Sequence, residues 1–308
     1  MADKSRTALT LKKFRLSPNL LHQERMAYIF IAPPLLLYFV FSLLPTLVGL
    51  VLSFTKYDVI QKPQFVAFDN FARIFKDEFF WTYLWNTVRY AVLAVPLGFM
   101  ASMGAALLLN RKKKGVSIFR AAFYLPVLCS MVAMATIWLW LLNANYGVIN
   151  TLLFKIGIIG PAWLADTRYA MLSIVIMSVW AGFGGNMMIF LAGLQGVPDQ
   201  LYEAARLDGA NRVQEFLHIT IPSIGTTVFF VSTTMIIGSL QMFDAAYILT
   251  RGGPGGSTKT LVYYIYETAF NDLRMGYAAS MSMLLFVFIM VFSLINIRFN
   301  KDSSGFFK

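Results

Sequence analysis

Six apolar stretches alternate with polar ones along the chain, at residues 27–54, 88–109, 119–142, 170–194, 224–243 and 278–297. Each is close to the ~20 residues that carry a helix across a hydrocarbon layer, so the pattern predicts six membrane-spanning helices and an all-α fold. The first stretch holds Pro33, Pro34 and Pro45, is too long for the apolar core of a cleavable leader, and has no small-residue cleavage signal after it. It is expected to remain as a span. The polar intervals differ in character. Residues 57–85 are rich in aromatics and mixed charge, long enough for short helices against a membrane face, and 111–115 make a tight turn. Residues 143–169 contain Trp163, a side chain suited to the headgroup layer. No strong internal repeat, direct or inverted, is visible.

Composition agrees with lipid as the solvent. Of 308 residues, 58% are hydrophobic and 13% charged, about half the charge density of a soluble domain. A single cysteine excludes an internal disulfide framework, and two histidines leave little for a metal site. The net charge of +11 raises nucleic acid as a partner, but the placement of the charges argues against it. With the N-terminus inside, 16 of the 26 basic residues fall on inner segments, including Arg25, Arg111 to Lys114, Arg120, Arg206, Arg212 and Arg298. That asymmetry predicts cytoplasmic N- and C-termini in the cell membrane, with anionic lipid headgroups as the counter-charge. The chain therefore divides into a tail (1–26), a first span (27–54), an outer loop (55–85), a core (86–298) with an inner loop at 196–222, and a second tail (299–308). In the first tail, Leu9, Leu11, Phe14 and Leu16 among Lys12, Lys13 and Arg15 fit either a short helix on the inner leaflet or a solvated basic arm.

The inner loop is the most distinctive polar stretch. Pro198 and Asp199 start a helix, since proline is tolerated in the first turn and an acid there complements the dipole. Leu201, Ala204, Ala205 and Asp208 recur at helical spacing, giving a small face that permits close approach, with Glu203 and Arg206 on its flank. Gly209 supplies the permissive backbone that ends one helix and turns the chain. A second helix is predicted from about Asn211 to His218, carrying Val213, Phe216 and Leu217, and Pro222 marks the return to the bilayer. Periodicity alone leaves two readings open, a docking element and a helix lying in headgroups. Glu203, Asp208 and Glu215 beside an anionic leaflet weigh against the second.

The residues themselves resemble a known pattern. Glu203-Ala204-Ala205, then Asp208-Gly209-Ala210, then Ile219 and Pro222 follow the cytoplasmic-loop motif of ABC importer membrane subunits, with one residue more than the pattern before its final proline. Trp180-Ala-Gly-Phe183, Leu191-Ala-Gly-Leu-Gln-Gly-Val-Pro198 and Leu249-Thr-Arg-Gly-Gly-Pro254 resemble the maltose-type, carbohydrate-uptake branch, and the likeness covers roughly residue 86 to the end. The resemblance implies the type I ABC importer permease fold. It implies that Glu203, Ala204, Ala205, Asp208, Gly209, Ala210, Phe216 and Pro222 form coupling helices seated in a separate ATPase subunit. It also implies a solute-binding protein as partner. The best-known maltose-type subunit has extra N-terminal spans and a large outer insertion that this chain lacks. Two ATPases require two docking loops, so a second permease is expected, and in this branch it is usually a related but distinct one. ATP and magnesium would be held by the ATPase, leaving this chain with no cofactor.

Other motifs bear on chemistry. Residues 252–260 look superficially like a phosphate-binding loop, but they lack a Gly-Lys-Ser/Thr triplet and a preceding strand, and Pro254 removes a backbone donor. Gly252, Gly253 and Pro254 read better as an outer turn, and the resemblance places them where the binding protein and the closed gate meet. Asp244, at the edge of the fifth apolar stretch, reads either as a gate or as a residue wetted by outer headgroups. Phe183, Asn186 and Gln241 read either as packing or, with Asp244, as a sugar path: an aromatic face for C–H groups and amides for hydroxyls. Gly98, Ser102, Gly182, Gly184 and Gly185 permit close helix approach, within the chain or to another permease. Cys129 reads as packing and His218 as polar surface, neither with partners for catalysis.

Two other classes compete with an ATP-driven importer. An ion-driven transporter would favour intramembrane acids and inverted repeats, and the apolar stretches are nearly free of carboxylates. An intramembrane enzyme has no candidate constellation, such as His-Glu-x-x-His, to work with.

Overall fold

A computed structural model describes residues 18–111 and 113–300. Lys112, residues 301–308 and the amphipathic candidates Leu9, Leu11, Phe14 and Leu16 lie outside the described residues. The chain divides into two compact units between Val51 and Leu52.

The first unit is helical throughout its described length: α1 (Pro18–Tyr38), a π-helical turn at Phe39–Leu43 and α2 (Leu44–Leu52). It starts before the predicted residue 27. Proline has no N–H to donate, so three prolines in a helix normally leave carbonyls unpaired. Here the π turn immediately precedes Pro45, with Leu44 N–H reaching back to the Phe39 carbonyl. The Thr46 hydroxyl donates to the Ser42 carbonyl at 2.7 Å. Within the 27 residues of Met26–Leu52 the most apolar window has none of its residues buried in the protein, as expected for a rod solvated by lipid.

The second unit opens with a minimal antiparallel ribbon, β1 (Thr55–Lys56) and β2 (Gln64–Phe65), then α3 (Asp69–Phe75) and α4 (Glu78–Leu109). The segment 55–85 thus contains helix as well as turn. α4 starts at Glu78 instead of 88 because Asp77 caps it, its carboxylate accepting the Phe79 N–H at 3.0 Å. The same carboxylate accepts the hydroxyls of Tyr264 and Tyr277, each at 2.8 Å, so one acid ties the start of α4 to the far end of the sequence.

The third apolar stretch is not one straight helix. α5 (Val116–Tyr124) tightens into a 3₁₀ turn at Leu125–Leu128, and α6 (Met131–Leu141) leaves at 99°. Pro126 lacks a donor and Ser130 restarts the chain, accepting the Ala133 N–H at 3.2 Å. Cys129, expected to pack, sits at this corner and is exposed. α7 (Val148–Lys155) follows, and its Asn150 accepts the Trp163 indole N–H at 2.6 Å. Trp163 is therefore half-buried against the protein instead of lying free in an interface. α8 (Ala170–Gln195) matches the expected 170–194 closely.

Next come α9 (Asp199–Leu207), α10 (Arg212–Glu215), a π turn at Phe216–Thr220, α11 (Ile221–Ser223) and α12 (Gly225–Leu240), with a 76° bend between Ser223 and Gly225. Finally there are α13 (Asp244–Leu249), α14 (Leu261–Tyr266) with a π turn to Asn271, and α15 (Met275–Asn300), which runs past the predicted end at 297. Among the described residues, four helices are long and apolar enough to cross a membrane, or up to six if each bent pair counts as one.

The core is built on α4 against α8, the most extensive helix pair. Ala94, Gly98, Ser102 and Ala106 recur every fourth residue and are all buried, a small-residue stripe that lets helices approach closely. Met103, Ala106 and Leu109 meet Met187, Phe190 and Leu194 of α8. A Cβ at Gly98 would meet the Met235 methyl of α12 at 2.6 Å, so this stripe packs within the chain. Gly184 is tighter, because a Cβ there would run into the backbone carbonyl of Phe123. A methyl should therefore push α8 from α5, whereas at Gly182 it would meet nothing within 4 Å. Gly184→Ala should cost about 1–3 kcal/mol of stability. Gly182→Ala should be neutral or slightly stabilising through helix propensity. Thermal unfolding of the detergent-solubilised protein compares the two.

Candidate functional site

The polar loop folds as two short helices closed on each other. α9 ends in a glycine cap: the Ala210 N–H donates to the Ala205 carbonyl at 2.9 Å, and the Gly209 N–H to the Arg206 carbonyl at 3.1 Å. Gly209 has φ +84°, the left-handed region that a side chain enters only at a cost. Asn211 then starts α10 with a reciprocal box, its side chain accepting the N–H groups of Val213 and Gln214 at 3.0 Å while Gln214 accepts the Asn211 N–H at 2.8 Å. Two contacts fasten the helices together. Arg206 Nε lies 2.8 Å from Glu215 Oε1, and the Tyr202 and Thr220 hydroxyls are 3.0 Å apart. The hydrogen bond to Glu215 raises the Arg206 guanidinium further above its ordinary value. The pair is largely solvated on the arginine side, so it orients the two helices more than it stabilises them.

The motif residues divide by exposure. Glu203, Ala204, Asp208, Gly209 and Pro222 are exposed, whereas Ala205, Ala210 and Phe216 are half-buried. On the predicted small face, Leu201, Ala204 and Asp208 are exposed and only Ala205 is partly covered. Leu207 stands 89% exposed, with Val213 and Leu217 also exposed nearby. The second helix is longer than expected: the π turn carries it through Thr220, and Pro222 sits inside the first turn of α11. His218 is exposed, its Nδ1 3.2 Å from the Gln214 carbonyl.

A second feature lies between α4, α8 and α12. Phe183 and Asn186 of α8 converge with Gln241 and Asp244 on a cavity of about 380 Å³. Tyr90, Ser178 and Ser239 also line it, and sequence reasoning missed them because a lone hydroxyl in an apolar helix reads as packing. Asp244 is the one charged side chain among the lining residues. Phe183 packs at a tilt against its neighbours, its ring 5.6 Å from that of Phe123 and 5.9 Å from that of Trp180. Amides, hydroxyls, one carboxylate and aromatic faces together suit a neutral polyhydroxylated solute.

The glycine-rich loop is a locked turn. Gly252 is buried at φ +79°, and a Cβ there would press on Tyr263 and Lys259. Inside the turn, the buried Thr258 hydroxyl donates to the Gly253 carbonyl at 2.8 Å. Asn86 of α4 donates to the carbonyls of Gly256 and Lys259 at 2.9 and 3.0 Å, and Thr87 Oγ1 accepts the Leu261 N–H at 2.9 Å. Lys259 pairs with Glu267 at 2.6 Å. Pro254 is half-buried in the turn, and the loop is preceded by a helix, α13, not by the strand a phosphate cradle needs. Asn86, Thr87, Thr258 and Glu267 carried no sequence signal, since their partners lie far along the chain.

The sequence profile of the family described as binding-protein-dependent transport system inner membrane component matches residues 94–303. The chain is 38% identical over 273 residues to the probable ABC transporter permease protein YesP of Bacillus subtilis (strain 168), covering 87% of this chain and 88% of that one. It is 37% identical over 273 residues to the lactose transport system permease protein LacF of Rhizobium radiobacter, covering 86% and 91%. Its fold matches a chain in the crystal structure of a bacterial ABC transporter involved in import of the acidic polysaccharide alginate, at TM-score 0.80 and 24% identity, covering 94% of this chain and 98% of that one.

Removing the Asn86 side-chain donors leaves two carbonyls of the glycine-rich loop without their partner. Asn86→Ala should cost about 1–3 kcal/mol. Amide hydrogen exchange should accelerate at residues 251–260 while α8 keeps its protection.

Proposed function

The chain belongs to the binding-protein-dependent transport system inner membrane components, and from that membership we propose how its loop, cavity and spans work. It is the membrane-spanning permease subunit of an ABC importer, not the ATPase. In the proposed topology each bent helix pair is one span, giving six, and both termini lie in the cytoplasm of a cell whose inner membrane holds the complex. The concentration of Lys and Arg on the segments assigned inside supports this orientation.

The polar loop is the docking element for an ATPase subunit, which holds ATP and magnesium. The observation that carries this reading is the pair of short helices closed by Gly209 and the Arg206–Glu215 bridge, presenting Leu207, Val213 and Leu217 to solvent. Burying a leucine of that kind in a partner's cleft is worth about 1.5–3 kcal/mol, so the exposed face is a strong binding surface in waiting. Glu203 and Asp208 at its edge suit a partner that offers cations. One loop serves one ATPase, so the working complex pairs this chain with a second permease, a distinct one as in the sugar-uptake branch. A solute-binding protein delivers substrate from outside to the surface around Gly252, Gly253 and Pro254.

The solute is a sugar or oligosaccharide. A relative named for lactose transport supports the class, and the cavity formed by Phe183, Asn186, Gln241 and Asp244 offers the chemistry that reads hydroxyls. An ion-gradient transporter remains the competing mechanism that an experiment separates directly. In liposomes holding the assembled complex, uptake should require internal ATP, and uptake driven by a proton or sodium gradient alone would contradict the importer mechanism.

Gly209→Val forces a branched side chain into the left-handed region and tilts the two helices. Transport and substrate-stimulated ATP hydrolysis should then fall together by on the order of tenfold or more, equivalent to at least about 1.4 kcal/mol of lost coupling. Glu203→Lys should do the same by reversing charge at the docking edge. Membrane insertion and α-helix content should be unchanged in both, as checked by circular dichroism of the purified variants. Full coupling in Gly209→Val would refute the docking geometry.

A further inference from the structure

The end of α4 and the two-helix loop line a cleft of about 650 Å³. Arg111, Arg206 and Arg212 line it against a single carboxylate, Glu215, so its walls carry two more positive charges than negative ones. Glu215 is already committed to Arg206 at 2.8 Å. Arg111 and Arg212 are exposed, and no described carboxylate forms an ion pair with either. The chain thus holds two free guanidinium forks at one opening, the arrangement that grips the oxygens of a phosphate.

The rest of the lining has an apolar strip, made by the half-buried Leu107 and Phe216 and the edge of the buried Leu194, beside Asn110, Tyr202 and Thr220. It continues the packed core of α4 and α8, where Leu109 and Leu194 are buried. Arg111 follows Leu109, the last residue of a helix long and apolar enough to cross a membrane, by two positions. In the topology proposed above, the cleft opens where that helix leaves the hydrocarbon. A soluble phosphate compound would use the arginines and leave the apolar wall bare. A phosphodiester with acyl chains uses both.

We propose that this cleft binds the headgroup of an anionic phospholipid of the cytoplasmic leaflet, with the phosphodiester on Arg111 and Arg212 and the glycerol backbone against Leu107, Leu194 and Phe216. The bound lipid braces the loop against α4, because Arg206, Arg212 and Phe216 belong to the loop and Arg111 and Leu107 do not. Coupling then depends on leaflet composition. The assignment rests on the orientation proposed above, but its test reads lipid and not transport, so each can fail without the other.

The complete complex is placed in nanodiscs of phosphatidylcholine containing phosphatidylglycerol, then released into detergent, and the retained lipid is identified by native mass spectrometry. The wild type should retain phosphatidylglycerol in preference to phosphatidylcholine. Arg111→Gln/Arg212→Gln should retain it at least roughly tenfold more weakly. Arg73→Gln/Arg168→Gln, which removes the same charge elsewhere, should behave as wild type. Absence of a preference in the wild type, which needs no variant to fold, would overturn the proposal. So would equal loss in the two double variants, or displacement of the lipid by an excess of inorganic phosphate, which would mark a free-anion site instead.

Discussion

In hydrocarbon there is no water to satisfy an unpaired peptide group, so every N–H and C=O of a spanning segment must find its partner inside the protein. That constraint explains which segments of this chain run straight and where the others break. α8 runs unbroken from Ala170 to Gln195 with no proline in it. The third apolar stretch turns by 99° where Pro126 lacks a donor and Ser130 caps the helix that follows, accepting the Ala133 N–H. In the first unit a π turn lies ahead of Pro45 and the Thr46 hydroxyl donates to the Ser42 carbonyl. Interrupted backbone in a membrane protein is tolerated where it is packed in protein or borders a cavity. Both conditions hold here: Met131, just past one break, and Gln241 to Asp244, between α12 and α13, line the same cavity.

The loop and the cavity share helices. α8 carries Phe183 and Asn186 on the cavity wall and runs, through the buried Val197, into α9. On the other side of the loop, α12 starts after Ile224, which is buried in the same core cluster, and ends at the cavity beside Ser239 and Gln241. A helix of 16 residues such as α12 spans about 24 Å, so in the proposed coupling α8 and α12 would carry a displacement of the loop to the cavity. The proposed coupling needs no longer chain of contacts than this. The stripe of Ala94, Gly98, Ser102 and Ala106 provides a smooth surface on α4 against which α8 and α12 sit.

What the sequence revealed follows from what periodicity can encode. The bounds of α8 and α9 and the turn at Gly209 were legible, because apolar runs, an acid after proline and an isolated glycine are local signals. The extension of α4 back to Glu78 was not, since Phe79, Trp81 and Trp85 read as an aromatic loop until Asp77 is seen capping the helix. The corner at Cys129 was hidden inside an apolar run of normal length. Of the cavity, the four residues proposed from sequence were brought together, while Tyr90, Ser178 and Ser239 were invisible without the packing. The bonds from Asn86 to Gly256 and Lys259 join positions more than 150 residues apart, and no local pattern anticipates such pairs.

The central claim is that the exposed tip of the α9–α10 loop sits inside an ATPase partner. With the native thiol removed by Cys129→Ala, Leu207→Cys places one reactive sulfur at that tip, and a short bifunctional reagent is applied to membranes holding the complex. A covalent adduct between this chain and the ATPase subunit is the expected result. Labelling of Leu207→Cys by an impermeant thiol reagent added outside intact cells, with no adduct to an ATPase, would contradict it.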